Sequence, residues 1–180
     1  MKKIIAIITL IICCHHGKSQ LYTTRTGFIG FYSKTPFEDI MAENNQVYAV
    51  IDAGKKNIAF ALLMKGFIFT KELMQEHFNE NYVESDKYPK ANFSGTYAGD
   101  VLTDKDGTYN IVVKGNLTLH NVTRAIEERA TLEVKGSRLL GKTEFRLRPE
   151  DFSIKIPSLV SDKIDKEITV RVQIDCSTTK

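Results

Sequence analysis

The chain has little of what disulfide scaffolds, metal centres and many catalytic sites are built from. Among 180 residues there are three cysteines, Cys13, Cys14 and Cys176. The first two fall in an N-terminal stretch expected to be removed, so Cys176 is left alone and no intramolecular disulfide can form. Histidine is as scarce: His15 and His16 share that stretch, and only His77 and His120 lie beyond it. An excess of one charge is also missing. Residues 1–19 carry Lys2, Lys3 and Lys18 and no acid, so without them basic residues fall from 25 to 22 against 22 acids. A neutral chain offers polyanions no bulk attraction, and no nucleic-acid partner is expected. Nucleophile-elbow, phosphate-loop and paired CxxC patterns are absent. So are internal repeats, linkers and low-complexity segments.

The first nineteen residues read as a secretory signal peptide. Lys2 and Lys3 form a basic start, Ile4 to Ile12 an apolar run too short to span a bilayer, and Ser19 precedes Gln20 as the new N-terminus. Acylation at Cys13 or Cys14 is the competing reading. The preceding Ile12 and Cys13 are bulkier than the small residues that such cleavage prefers. Residues 20–180 are then expected to form one domain, about 160 residues being enough for a sizeable core.

Most of that domain alternates like β-strand. Gly27–Ser33 sets Phe28, Gly30 and Tyr32 against Ile29 and Phe31. Phe37–Ala42 reads as a short helical or irregular return, and Asn45–Asp52 as the second strand. Asn57–Lys65 places Ile58, Phe60, Leu62 and Met64 on one face and only Ala59, Ala61 and Leu63 on the other, which predicts burial on both sides. Ala91–Asp100 follows, then Asp104–Gly107 as a tight Asp-Gly turn with positive φ. Tyr109–Leu119, Val122–Lys135, Leu139–Leu147 and Ile168–Cys176 alternate most clearly. In Val122–Lys135 the register turns Arg124 and Glu128 inward among apolar residues, a costly placement unless they pair or sit near a rim. About eight one-sided strands favour an all-β fold, one antiparallel sheet closed into a barrel. A β-sandwich is the alternative.

One stretch breaks the pattern. Thr70–Tyr82 is predicted as an amphipathic helix, with Thr70 as N-cap and Glu72 near the positive end of the helix dipole. Leu73, Met74, His77, Phe78 and Tyr82 share one side, and Gln75, Glu76, Asn79 and Glu80 face away. A lone helix among strands covers something.

No catalytic constellation emerges. His77 and Glu80 have a His-x-x-Glu spacing, but no third metal ligand is evident, and no metal or cofactor is expected. Cys176 is inward and reads as a small apolar group. The volume of a barrel is the remaining signal. Strands of about ten residues tilted near 40° give a barrel roughly 25 Å tall, which suits a long apolar tail. The residues expected to line it are Phe28, Phe60, Leu62, Phe93, Ile111, Leu117, Leu132, Phe145 and Val170. Leu73 and Phe78 close one end, and Arg124 is placed for a polar head. Each apolar residue among them would equally serve a solid core. The inward glycines Gly30, Gly115 and Gly141 favour a cavity by leaving space unfilled.

Four segments carry a family resemblance: GFIGFYSKTPFEDI from Gly27, LMQEHFNENYVESDKYPKANF from Leu73, VVKGNLTLHNVTRAI from Val112 and RLRPEDFSI from Arg146. From Gly27 to Cys176 the chain resembles the YceI-like family of secreted polyisoprenoid-binding, lipocalin-like proteins. The resemblance implies an eight-stranded barrel around a long isoprenoid or fatty-chain amphiphile, no catalytic residues, and a periplasmic or secreted location. The expected partner is a polyisoprenoid, an isoprenoid quinone or a fatty-acid-like lipid, and a homodimer is left open. Two alternatives stand beside this carrier. One is an exported interaction module with a solid core. The other is a hydrolase or isomerase using His77.

Overall fold

A computed structural model of the chain describes residues 20–34, 39–156 and 166–179. The expected signal peptide, with Cys13 and Cys14, lies outside them. The strands are β1 (Leu21–Ser33), β2 (Ile40–Asp52), β3 (Asn57–Leu63), β4 (Ile68–Phe69), β5 (Lys90–Ala98), β6 (Gly107–Leu119), β7 (Val122–Lys135), β8 (Arg138–Leu147) and β9 (Ile168–Thr178). Each pairs antiparallel with its neighbour in the order β1-β9-β8-β7-β6-β5-β3-β2, and β2 returns to β1. Those eight strands form a closed barrel, and the two-residue β4 extends β2 at its upper end.

Alternation explains which face turns in. Along β9, Val170, Ile174 and Cys176 are buried while Arg171, Gln173 and Asp175 are exposed. The outer face carries cross-strand ion pairs such as Arg171–Glu144 at 2.9 Å and Lys114–Glu127 at 3.0 Å. Exposed pairs of this kind add little stability. The two ends of the barrel differ. At the lower end Tyr22, Ile51, Leu139 and Cys176 are wholly buried and plug the interior. Burial pushes the Cys176 thiol up to about 12, so it remains an uncharged packing group.

Several local expectations are corrected. The strand expected to start at Gly27 begins at Leu21, and residues 40–42 of the expected irregular return are the start of β2, paired to β1. Residues 37 and 38 of that return lie outside the described residues, and Asp39 is exposed just ahead of β2. Leu63 is 53% exposed, so β3 is not buried on both faces. The Asp104–Gly107 turn lacks the expected positive φ. Gly99, at φ 136, opens the β5–β6 connection, and Asp106 instead accepts a 2.7 Å hydrogen bond from the Gly136 amide.

The helix is shorter than its periodicity implies. α1 covers Glu72–His77 and runs into a π-helical turn, Phe78–Tyr82. Its N-cap is Lys71, with no side-chain capping bond, so Thr70 does not cap it. The entry is held from inside the helix, where Gln75 Oε1 accepts from the Phe69 amide at 3.1 Å.

Candidate functional site

Above the lower plug the barrel encloses a cavity of about 550 Å³. That lies within the roughly 300–1,000 Å³ of ordinary ligand sites. Ile58, Phe93, Ile111, Leu132 and Ile174 line its lower part, and Phe31, Phe60, Leu117, Phe145 and Val172 the walls. The roof is aromatic. The Phe78 ring packs on Phe69 at 5.0 Å, Phe31 at 5.4 Å and Phe67 at 5.7 Å between centroids. Phe31 in turn meets Phe67 edge-on at 5.3 Å. Each such pair adds about 0.5–1.5 kcal/mol beyond area burial.

The roof is anchored at a gap in the wall. β2 and β3 pair only between Tyr48–Asp52 and Asn57–Ala61, and above this β4 pairs with Ala42 and Glu43 instead. Asn44, fully buried, stitches the parting: its side chain donates to the Leu63 carbonyl at 3.0 Å and accepts from the Gln46 amide at 2.9 Å. A Cβ on Gly66 would come within 2.7 Å of that amide group, so the chain needs glycine there.

A second anchor sits at the far side of the mouth. His120, in the β6–β7 turn, places Nε2 2.9 Å from Glu84 and Nδ1 3.1 Å from the Phe152 carbonyl, with the Tyr88 ring against its edge. Both partners offer oxygens, so the ring supplies the N–H in these contacts. The hydrogen bond with His120 holds the Glu84 carboxyl below the usual range. The clamp ties the exit of the lid, the β6–β7 turn and the 3₁₀ turn Pro149–Phe152 together.

Phe60, Leu62, Leu73, Phe78, Phe93, Ile111, Leu117, Leu132, Phe145 and Val170 all stand on the cavity wall, as do Met74, His77 and Tyr82 of the lid. Leu73 is 61% exposed and marks its outer edge. Phe28 and Arg124 are not on the wall. Both faces of β1 are apolar, which leaves its alternation ambiguous. The register shift between Thr24 and Gly27 then turns Ile29 and Phe31 inward. Phe28 takes the outer face, its ring covering Gly30 so closely that a Cβ there would lie 2.8 Å from it. Arg124 belongs to the inward register but stands near the rim, and it turns away to donate to the Asp151 carbonyl at 2.9 Å.

The glycines do not open the cavity. Gly115 lets β5 and β6 approach closely opposite Gly95, and a Cβ on Gly141 would strike Ile174. Space comes from the spread of the upper strands. Of the wall residues not anticipated, Phe67 and Phe69 had an available signal, their period-two spacing just ahead of the helix. Glu128, inward as its register implies, is the one carboxylate on the described wall, and burial raises its pKa.

A family model for the YceI-like domain matches residues 21–176. The chain belongs to that family. The matched span contains the described cavity wall, from Ile29 to Ile174. No curated protein matches this YceI-like chain in sequence. Solved structures share its fold. A polyisoprenoid-binding domain from Saccharophagus degradans, implicated in plant cell wall breakdown, superposes with a TM-score of 0.74 at 13% identity, covering 90% of this chain and 100% of that one. Burkholderia cenocepacia BcnA gives 0.69 at 14% identity over 84% and 96%. A Campylobacter jejuni YceI protein gives 0.61 at 13% identity over 82% and 89%. At such identities the likeness speaks for the fold alone.

Proposed function

We propose that this YceI-like chain is an exported carrier or storage protein that encloses one long apolar amphiphile, an isoprenoid, an isoprenoid quinone or a fatty-chain lipid. The observation that carries the reading is the cavity, about 550 Å³ walled almost wholly by apolar side chains. Contact with such walls is ample for affinity. Burying about 400 Å² at roughly 25 cal/mol per Å² yields about 10 kcal/mol before ordering costs. The polyisoprenoid-binding domain among the fold neighbours agrees with this reading.

The reading is of binding without chemistry. Cys176 is buried with its thiol raised to about 12, and His120 is held between Glu84 and a backbone carbonyl. His77 is exposed on the lid.

Thermal unfolding with a panel of isoprenoids and fatty acids tests it. A ligand at a hundred times its Kd stabilises the native state by about 2.7 kcal/mol, a rise of roughly 5–10 °C for a chain of this size. A melting temperature unmoved across the panel would favour an interaction module with no lipid ligand. Export is tested by fractionation and N-terminal sequencing, with Gln20 expected as the first residue.

A further inference from the structure

Among the described strands, pairing stops short along the upper halves of two neighbouring pairs, β2–β3 and β7–β8, and other described residues fill only the first gap. Between upper β2 and β3, β4 and the buried Asn44 fill the gap. Between β7 and β8, backbone pairing runs only from Lys135↔Arg138 to Thr131↔Lys142. β7 stays paired to β6 as far as Val122, and β8 to β9 as far as Leu147. The upper halves of β7 and β8 therefore face each other across a seam without ladder bonds. One side-chain bond crosses where the ladder ends, from the Thr143 hydroxyl to the Arg129 carbonyl at 2.8 Å. Free strand edges need water or a ligand for their polar groups.

The cavity reaches this seam. Ala130, Thr131, Lys142 and Thr143 line it and also line a hollow shared with the outward Arg129 and Glu144. Directly above Ala130 on the inward face is Glu128, half-buried on the cavity wall. Among the described residues it has no hydrogen bond or ion pair, which is costly for a carboxyl in an apolar wall. Its inward neighbours along the strand, Ile126 and Ala130, offer it none.

Resting on the lipid-carrier reading, we propose that the β7–β8 seam is the head-group site, where Glu128 hydrogen-bonds a neutral polar head while the tail fills the barrel. The head it fits is one that donates a hydrogen bond to a carboxylate, an alcohol or an amide N–H. A phosphate would place its charge against the carboxylate, and the cation on the described wall, Lys142, lies towards the outer hollow, where it is exposed. Backbone groups on the upper edges of β7 and β8 that no described backbone group pairs provide further donors and acceptors for the same head.

Binding of three probes to the full chain tests this: geranylgeraniol, geranylgeranyl phosphate and phytane, the saturated head-free hydrocarbon of the same carbon skeleton. Geranylgeraniol should bind about tenfold more tightly than the phosphate, the difference one hydrogen bond and an avoided like-charge contact supply. Glu128→Leu should cost geranylgeraniol about tenfold and leave phytane unchanged. Independently, geranylgeraniol carrying a diazirine at the head should label wild-type peptides from residues 126–130 and 142–145. Labelling confined to the lid around residues 73–78, tighter binding of the phosphate, or an unchanged alcohol affinity in Glu128→Leu would each overturn the assignment. Binding of phytane with mislocated labelling sinks the seam alone. No binding of any probe sinks the carrier reading with it.

Discussion

The lower and upper halves of the barrel use the same strands and the same alternation, yet one is solid and the other hollow. At the lower end Tyr22, Leu139 and Cys176 are wholly buried, and Leu132 and Val134 nearly so. In the upper half Phe31, Phe60, Phe78, Phe145 and Val172 point inward but remain only half-buried, because each keeps a face towards the cavity. The difference teaches that alternation determines which side chains are inside, whereas the spread of the strands determines whether they meet. The lower half supplies stability. The upper half supplies volume, with the aromatic roof and the His120 clamp holding it open.

The largest expected effect belongs to the lower half. Leu139→Ala, at a fully buried site, should destabilise the chain by about 2–5 kcal/mol, read by denaturant unfolding. If the halves differ as described, it should leave lipid affinity at saturating folded fraction little changed. Loss of affinity without loss of stability would reverse their assigned roles. The roof comes next. Phe78→Asp breaks three ring contacts and places a charge over the cavity, so ligand retention should fall at least tenfold, measured by the lipid left after gel filtration. Glu76→Ala, on the exposed side of α1, should change retention by less than about twofold. Equal retention in both variants would make the lid an ornament.

How much of this could be read from residues alone varied by strand. β9 was legible because polar and apolar residues alternate along it, and β7 because they do so apart from Arg124, Ala125 and Glu128. β1 was not, since Phe28 and Phe31 present aromatic rings to opposite faces and a register shift before Gly27 settles the sides. Arg124 was placed in the correct register and the wrong destination, because a long side chain near a rim can turn to a carbonyl outside. The inward glycines misled for a related reason: Gly115 marks a close approach of two strands rather than spare room. The helix was visible in its apolar side, but its start was drawn at Thr70, where no capping bond forms. The β7–β8 seam left one trace in the sequence, the inward charges Arg124 and Glu128 on β7, but strand alternation alone does not say which neighbouring strand stops pairing.

The smallest expected effect concerns Glu128 and depends on pH. Burial raises its folded pKa above the unfolded value, so the stability present below the unfolded pKa is lost as pH rises through the folded one. Glu128→Gln removes the ionisation. It should therefore melt above the wild type at pH 8 and together with it near pH 3.5, below the ordinary glutamate range of about 4.3. A variant that melts below the wild type at pH 8 would mean the carboxylate has a stabilising partner in the seam.

Native mass spectrometry of the protein purified without added lipid, followed by organic extraction, tests the hollow upper half most directly. The expected result is a one-to-one adduct that is released as an apolar long-chain compound and is lost in Phe78→Asp. A bare polypeptide mass, together with failure to take up any long-chain lipid on reconstitution, would contradict the account and leave the cavity without a ligand.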